Sequence, residues 1–228
     1  MVNTVIFDIG KVLIRFEWMN YIHSLFSDDD ICDKLTYCIW NSGWWKELDR
    51  GVMPEENVLK EIEREAQYKG IKDECLIVLN NFGKCMDYQD YAIPWIQELK
   101  NKGFRVYYLS NYSQFLINAN PEILNFIEYM DGGIFSFKEN IMKPDERIFD
   151  RLCEKYNLRR EECLFTDDVQ MNVDAARKFG MKAIRFDGYE KIYPVIMHYL
   201  LEDNGKELQD LDDEGLPFDG MDWTKWNE

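Results

Sequence analysis

Long apolar runs are missing from this 228-residue chain. None approaches the roughly 18 consecutive apolar residues that a membrane-spanning helix requires. Nor do the first residues carry the basic and apolar segments of a secretory signal, since Met1–Thr4 lead directly into an apolar strand. The expectation is a cytoplasmic protein with no membrane partner. Positive charge is also scarce, with 27 Lys and Arg against 43 Asp and Glu and a net charge of −16. That field repels polyanions and disfavours nucleic acid, although a small phosphorylated ligand can still bind where local cations offset it. The six cysteines, at positions 32, 38, 75, 85, 153 and 163, form no CxxC pair and follow no metal-finger spacing. They read as reduced core thiols rather than as a disulfide framework or a zinc site. Internal repeats and low-complexity segments are absent as well.

What remains is an ordinary globular composition, 46% hydrophobic, sufficient at this length for one large domain carrying a modest insertion. Val5-Ile6-Phe7 is an apolar run ending in Asp8, as a buried parallel strand would end. Further strands are predicted at Phe104–Leu109, Gly133–Phe137, Cys163–Thr166 and Lys182–Phe186, with helices at Ile93–Lys102, Glu146–Tyr156 and Asn172–Phe179. This alternation predicts an α/β fold with a doubly wound parallel sheet. Residues 17–85 lack strand-like alternation and contain helical stretches, one opening at Pro54-Glu55-Glu56 and running through Leu59, Ile62 and Ala66. They read as an all-helical cap inserted after strand 1, leaving residues 1–16 and 86–201 as the core. Residues 202–228 hold ten acids against two lysines. This acidic tail is either disordered or docked through Leu208, Leu211, Leu216, Phe218, Trp223 and Trp226.

Four segments in order, FDIGKVL at the first strand, LSN at the second, an isolated Lys143-Pro144, and LFTDDVQMNVDAARKFG, resemble the four motifs of the haloacid dehalogenase superfamily. The likeness spans about residues 4–187 and implies a Rossmann-like core hydrolysing a small phosphorylated metabolite. By this resemblance Asp8 is the nucleophile that forms an aspartyl-phosphate, and Ser110 and Asn111 hold the phosphate through a hydroxyl and an amide. Lys143 is the lysine that offsets the charge gathered by nucleophile and phosphate. Asp167 and Asp168 match the acidic motif. Two adjacent carboxylates facing Asp8 repel one another unless a hard cation sits among them, which makes Mg2+ the expected cofactor. Aligned on Asn172-Val173-Asp174-Ala175-Ala176, Asp168 falls at the direct metal ligand and Asp167 at an auxiliary or water-mediated one, though the two can be exchanged. The backbone carbonyl of Gly10 is a further ligand. Asn172 either orients the acidic loop or caps the following helix.

One position departs from the family pattern. Most phosphatases of the superfamily carry a second Asp two residues after the nucleophile as general acid and base, and here that position is Gly10. Such a group contributes roughly 10²- to 10⁴-fold in rate. Its absence implies a replacement elsewhere, inactivity, or a leaving group that departs without much help, such as the hemiacetal oxygen of a sugar 1-phosphate. The Asp-x-Gly pattern, with Leu48-Asp49-Arg50-Gly51 in the cap, resembles the α-D-glucose-1-phosphate phosphatase-like branch. Trp44 and Trp45 either present flat faces to a sugar or pack. Two alternatives stand beside this reading. One is a catalytically impaired binding or scaffold protein. The other is a 2-haloacid dehalogenase, against which the Asp167-Asp168 pair argues, because displacement at carbon needs no metal.

Overall fold

The computed structural model describes residues 1–202 and 204. The apolar runs form strands as their sequence dictates. β1 (Thr4–Phe7) lies at the centre of a five-stranded parallel sheet, between β4 (Arg105–Ser110) and β6 (Cys163–Asp167), with β5 (Gly132–Phe135) and β7 (Lys182–Arg185) at the edges. All four residues of β1 and all five of β6 are buried, the pattern of strands covered on both faces.

Alternation along β1 divides the core. Val5 and Phe7 point to one face, where they join Trp95, Ile96 and Leu99 of helix Ala92–Asn101 and Ile192, Val195 and Ile196 of helix Tyr189–Leu201. Ile6 points to the other face, with Phe149 and Leu152 of helix Glu146–Tyr156 and Val173 and Ala176 of helix Gln170–Phe179. Several boundaries differ from those predicted. The helix expected from Asn172 opens at Gln170. The strand expected over Gly133–Phe137 ends at Phe135, and Ser136–Glu139 turn into a short helix. The C-terminal helix Tyr189–Leu201 and the helix Gln114–Ala119 were not anticipated.

Between Trp18 and Cys85 the chain is helical, with its longest helix at Glu55–Tyr68. A short antiparallel ribbon, β2 (Ile14–Phe16) against β3 (Met86–Tyr88), closes this insertion at its base. Three residues per strand are too few for alternation to show in the sequence. A wide turn at Tyr37–Asn41 places Trp40 against Trp18 at 3.6 Å and against Trp45 at 4.9 Å. Trp45 is buried and continues this stack onto Phe82 at 5.0 Å and onto Phe115 of the main domain at 6.1 Å. Trp45 is therefore a packing residue, and Trp44 is half-buried against the same core. Because of these contacts the insertion and one sheet face share a single hydrophobic core.

The insertion is also latched by polar contacts to main-chain atoms. Ser136 donates its hydroxyl to the Asp49 carbonyl at 2.5 Å, and Asn140 donates its amide to the carbonyls of Arg50 and Gly51 at 3.3 and 2.8 Å. All six cysteines are free thiols, five of them buried and Cys153 partly so, in keeping with a structural role. No helix among the described residues is long and apolar enough to cross a membrane. The acidic tail lies outside the described residues except for its first residue and Asn204, whose side chain exchanges hydrogen bonds with the Val2 backbone at 2.6 and 2.8 Å.

Gly51 has φ +68°, and a Cβ there would meet Phe137 Cα at 2.7 Å. Gly51→Ala should therefore loosen the latch and lower stability by about 1–3 kcal/mol in chemical denaturation. Gly70→Ala, also at positive φ but with nothing within 4 Å, isolates the backbone strain of about 1 kcal/mol. Equal losses in the two variants would show that the contact with Phe137 contributes nothing.

Candidate active site

The strand register brings the sequence-predicted residues together at one sheet edge. Phe7 is level with Tyr108 on β4 and with Thr166 on β6, so Asp8, the next residue, emerges beside Leu109 and Asp167. Its backbone N–H donates to the Thr166 carbonyl at 2.9 Å, and its side chain is buried. This is the C-terminal edge of a parallel sheet, where open α/β folds place their ligands.

Lys143 enters from the loop before helix Glu146–Tyr156 and is only 3% exposed. Its Nζ lies 2.8 Å from Asp8 Oδ1 and 2.6 Å from Asp167 Oδ2, and it donates to the Leu109 carbonyl at 2.8 Å. The contact with Asp8 is an ion pair without a well-aligned hydrogen bond, which leaves that oxygen able to accept another partner. Asn111 holds the Lys143 backbone from both sides, its Nδ2 donating to the Lys143 carbonyl at 3.0 Å and its Oδ1 accepting from the Lys143 N–H at 2.8 Å. Its side-chain amide, expected to face a phosphate, thus also braces the lysine, and Nδ2 keeps a second N–H. Ser110, the last residue of β4, is buried beside it.

Asp167 and Asp168 differ in environment. Asp167 is fully buried and accepts from Asn172 Nδ2 at 3.0 and 3.1 Å and from the Val169 N–H at 2.8 Å, besides pairing with Lys143. Asn172 therefore orients the acidic loop through Asp167, and no side-chain cap bond marks the start of its helix. Asp168 is only partly buried. Oxygens of Asp8, Asp167 and Asp168 lie within 4.8 Å of one another, and the Lys143 ammonium pairs with two of the three.

The electrostatics reflect that imbalance. Burial, with repulsion from Asp167 and Asp168, pushes the Asp8 carboxyl up to about 7 even though Lys143 opposes the shift. Asp168 is raised by burial and by Asp167, with Lys11 and Lys143 pulling the other way. Burial works against the Lys143 charge, but Asp167 and Asp8 outweigh it and hold the ammonium above the ordinary lysine value. The excess negative charge suits a hard divalent cation, for which this oxygen donor set is the right chemistry.

Gly10 closes a tight turn in which Lys11 takes a left-handed conformation, φ 60°. A Cβ at Gly10 would meet nothing within 4 Å. The insertion carries a residue to which the sequence assigned no role, Asp49, on helix Trp44–Arg50. It is 7% exposed, its Oδ1 has no hydrogen-bond partner, and burial followed by the charge of Asp8 raises its carboxyl to about 8. The signal was present in the spacing: Asp49 falls four residues after the buried Trp45, so a carboxyl occupies the apolar face of a helix.

The sequence profile of the haloacid dehalogenase-like hydrolases matches residues 2–180. A sesquiterpene phosphatase of Aspergillus oryzae is 25% identical over 77% of this chain and 85% of its own length. A phosphatase of Mycobacterium tuberculosis is 26% identical over 82% and 88% respectively. An (S)-2-haloacid dehalogenase of Burkholderia cepacia is 25% identical over about half of each chain. Among solved structures, a HAD-like family hydrolase from Porphyromonas gingivalis superposes with a TM-score of 0.68 at 24% identity, covering 89% of this chain and 99% of the other. A HAD family enzyme from Bacteroides thetaiotaomicron, in complex with magnesium and inorganic phosphate, gives 0.62 at 17% identity, covering 81% and 94%.

The raised carboxyls fix the sign of a pH effect. Asp49 binds its proton more tightly folded than unfolded, so its stabilising contribution is complete below 3.8 and is lost as pH rises toward about 8. In metal-free protein, the stability of Asp49→Asn relative to the parent should therefore increase across that window, by up to about 1.4 kcal/mol per pH unit. Urea denaturation at several pH values checks this, and a constant difference would show an unperturbed carboxyl.

Proposed function

This chain belongs to the haloacid dehalogenase-like hydrolases, and on that premise we propose that it is a magnesium-dependent phosphatase of a small phosphomonoester working through an aspartyl-phosphate on Asp8. The observation that carries the reading is the convergence of Asp8, Asp167 and Asp168 within 4.8 Å of one another, with a buried lysine paired to two of them. Displacement at carbon by a haloacid dehalogenase needs no cation and gains nothing from three mutually repelling carboxylates, so the cluster favours phosphorus as the electrophile. The phosphatase names of two relatives and the magnesium and phosphate bound by a protein of the same fold support the same choice.

In this reading Asp8, Asp168 and the Gly10 carbonyl would hold Mg2+, with Asp167 auxiliary or acting through water. The ion supplies electrostatic stabilisation of the phosphoryl oxygens and tolerance of clustered carboxylates. Asp8 uses its carboxylate to attack phosphorus, aimed by the strand end from which it projects. Lys143 orients that carboxylate and neutralises charge developing beside it, while Ser110 and Asn111, the latter also fixing the lysine's backbone, would donate a hydroxyl and an amide to nonbridging oxygens. Asn172 locks Asp167, and through it the acidic loop. The insertion acts as a cap that excludes bulk water and selects the leaving group. An anomeric sugar phosphate is the substrate class that fits Gly10 taken alone, since its leaving oxygen is weakly basic.

Turnover of small phosphomonoesters should disappear in excess chelator and return on adding Mg2+. Undiminished turnover in chelator would favour the dehalogenase chemistry. Asp8→Asn should abolish hydrolysis while leaving the unfolding transition nearly unchanged, and a beryllium fluoride adduct of the parent should sit on the Asp8 carboxylate in a crystal structure. Density on any other residue would refute covalent catalysis by Asp8.

A further inference from the structure

We propose that Asp49, carried by the helical insertion, is the catalytic residue that gives the leaving oxygen its proton and then takes one from the attacking water, the work for which position 10 has no side chain. This inference rests on the phosphatase reading and deepens it.

Asp49 is more than nine-tenths buried, and its Oδ1 has no partner. A buried polar atom without a partner carries a penalty of about 1–3 kcal/mol, and no apolar packing need calls for a carboxyl in that helix. Ser136, whose hydroxyl donates to the Asp49 carbonyl, also accepts from the Tyr112 N–H, two residues past the end of β4, so Asp49 is anchored over the same sheet edge as the site. Its position is held from the main domain, because Ser136 binds the Asp49 carbonyl and Asn140 the two carbonyls that follow. A carboxyl so buried and without a partner on Oδ1 can, in its protonated form, donate a hydrogen bond to a leaving oxygen at that sheet edge. Gly10 supports the same conclusion from the other side, since the space beyond its Cα is open.

The two steps balance. As an Asp8 oxygen bonds to phosphorus, the bond from phosphorus to the leaving oxygen breaks, its electron pair stays on that oxygen, and the Asp49 proton joins it. The Asp49 carboxylate then removes a proton from water as the water oxygen attacks phosphorus, and the bond to Asp8 breaks with its electron pair returning to the carboxylate. The protonation state of Asp49 is restored.

Asp49→Asn preserves shape and removes proton transfer. The test is kcat/KM and kcat over aryl and alkyl phosphates of graded leaving-group basicity, with Mg2+, for the parent, Asp49→Asn and Asp49→Asn/Gly10→Asp. The parent should show a shallow dependence on leaving-group pKa, unlike the steep fall expected from Gly10 alone. In Asp49→Asn the loss of kcat/KM should grow with that pKa, reaching roughly 10²- to 10⁴-fold for an alkyl ester. Its turnover of p-nitrophenyl phosphate should open with a burst of one equivalent of nitrophenolate, because hydrolysis of the phosphoenzyme has lost its base. Restoring a carboxyl at position 10 should flatten the dependence again. A loss equal for every ester, with no burst, would overturn the inference and leave the phosphatase reading standing. Absence of turnover by the parent with any ester would overturn both.

Discussion

At the C-terminal edge of the sheet one buried ammonium is shared by the carboxylates of Asp8 and Asp167, and most of the site is arranged to keep it there. Lys143 Nζ has three oxygens within 2.8 Å, and each comes from a different strand: Asp8 follows β1, Leu109 lies in β4 and Asp167 ends β6. Burying such a cluster costs more than a hydrophobic substitute would. The arrangement is therefore better understood as serving chemistry than stability. Asn111 and Asn172 spend their amides on it, the first on the lysine's backbone and the second on Asp167, so a misplaced ammonium would disturb three strands at once.

Much of this was legible in the sequence because buried parallel strands announce themselves as short apolar runs and because residues at their ends have only one place to go. Asp8, Asp167 and Asp168 lie together for that reason, and Lys143 joins them from the loop before helix Glu146–Tyr156. What was not legible depended on tertiary contact. β2 and β3 pair only because the insertion returns to its starting point, and three residues carry no period. That the Asn111 side chain also grips the Lys143 backbone depends on where the neighbouring loop falls, which no local pattern shows. The strand expected to run through Phe137 stops at Phe135, where Ser136 is needed as a hydroxyl between the Tyr112 N–H and the Asp49 carbonyl.

Asp49 shows how a functional signal can be hidden in a pattern that points to structure. Its helix begins Trp44-Trp45 and buries Trp45 and Leu48, so the segment reads as packing, and most of it is. The carboxyl on the same face is the exception to binary patterning. Such exceptions cluster at sites where the protein tolerates local instability for the sake of chemistry.

The latch between insertion and core has a consequence for how this protein can change over generations. Ser136 and Asn140 bind main-chain carbonyls of residues 49, 50 and 51, not their side chains. Almost any amino acid offers the same carbonyl, so drift at Arg50 and at the exposed Val52 leaves the loop in register over the sheet edge while altering the surface it presents. Gly51 is held to its identity by its backbone and by Phe137, and Asp49 by the chemistry of its carboxyl. The outer surface of this loop can thus vary without each step first having to relearn how the two halves fit.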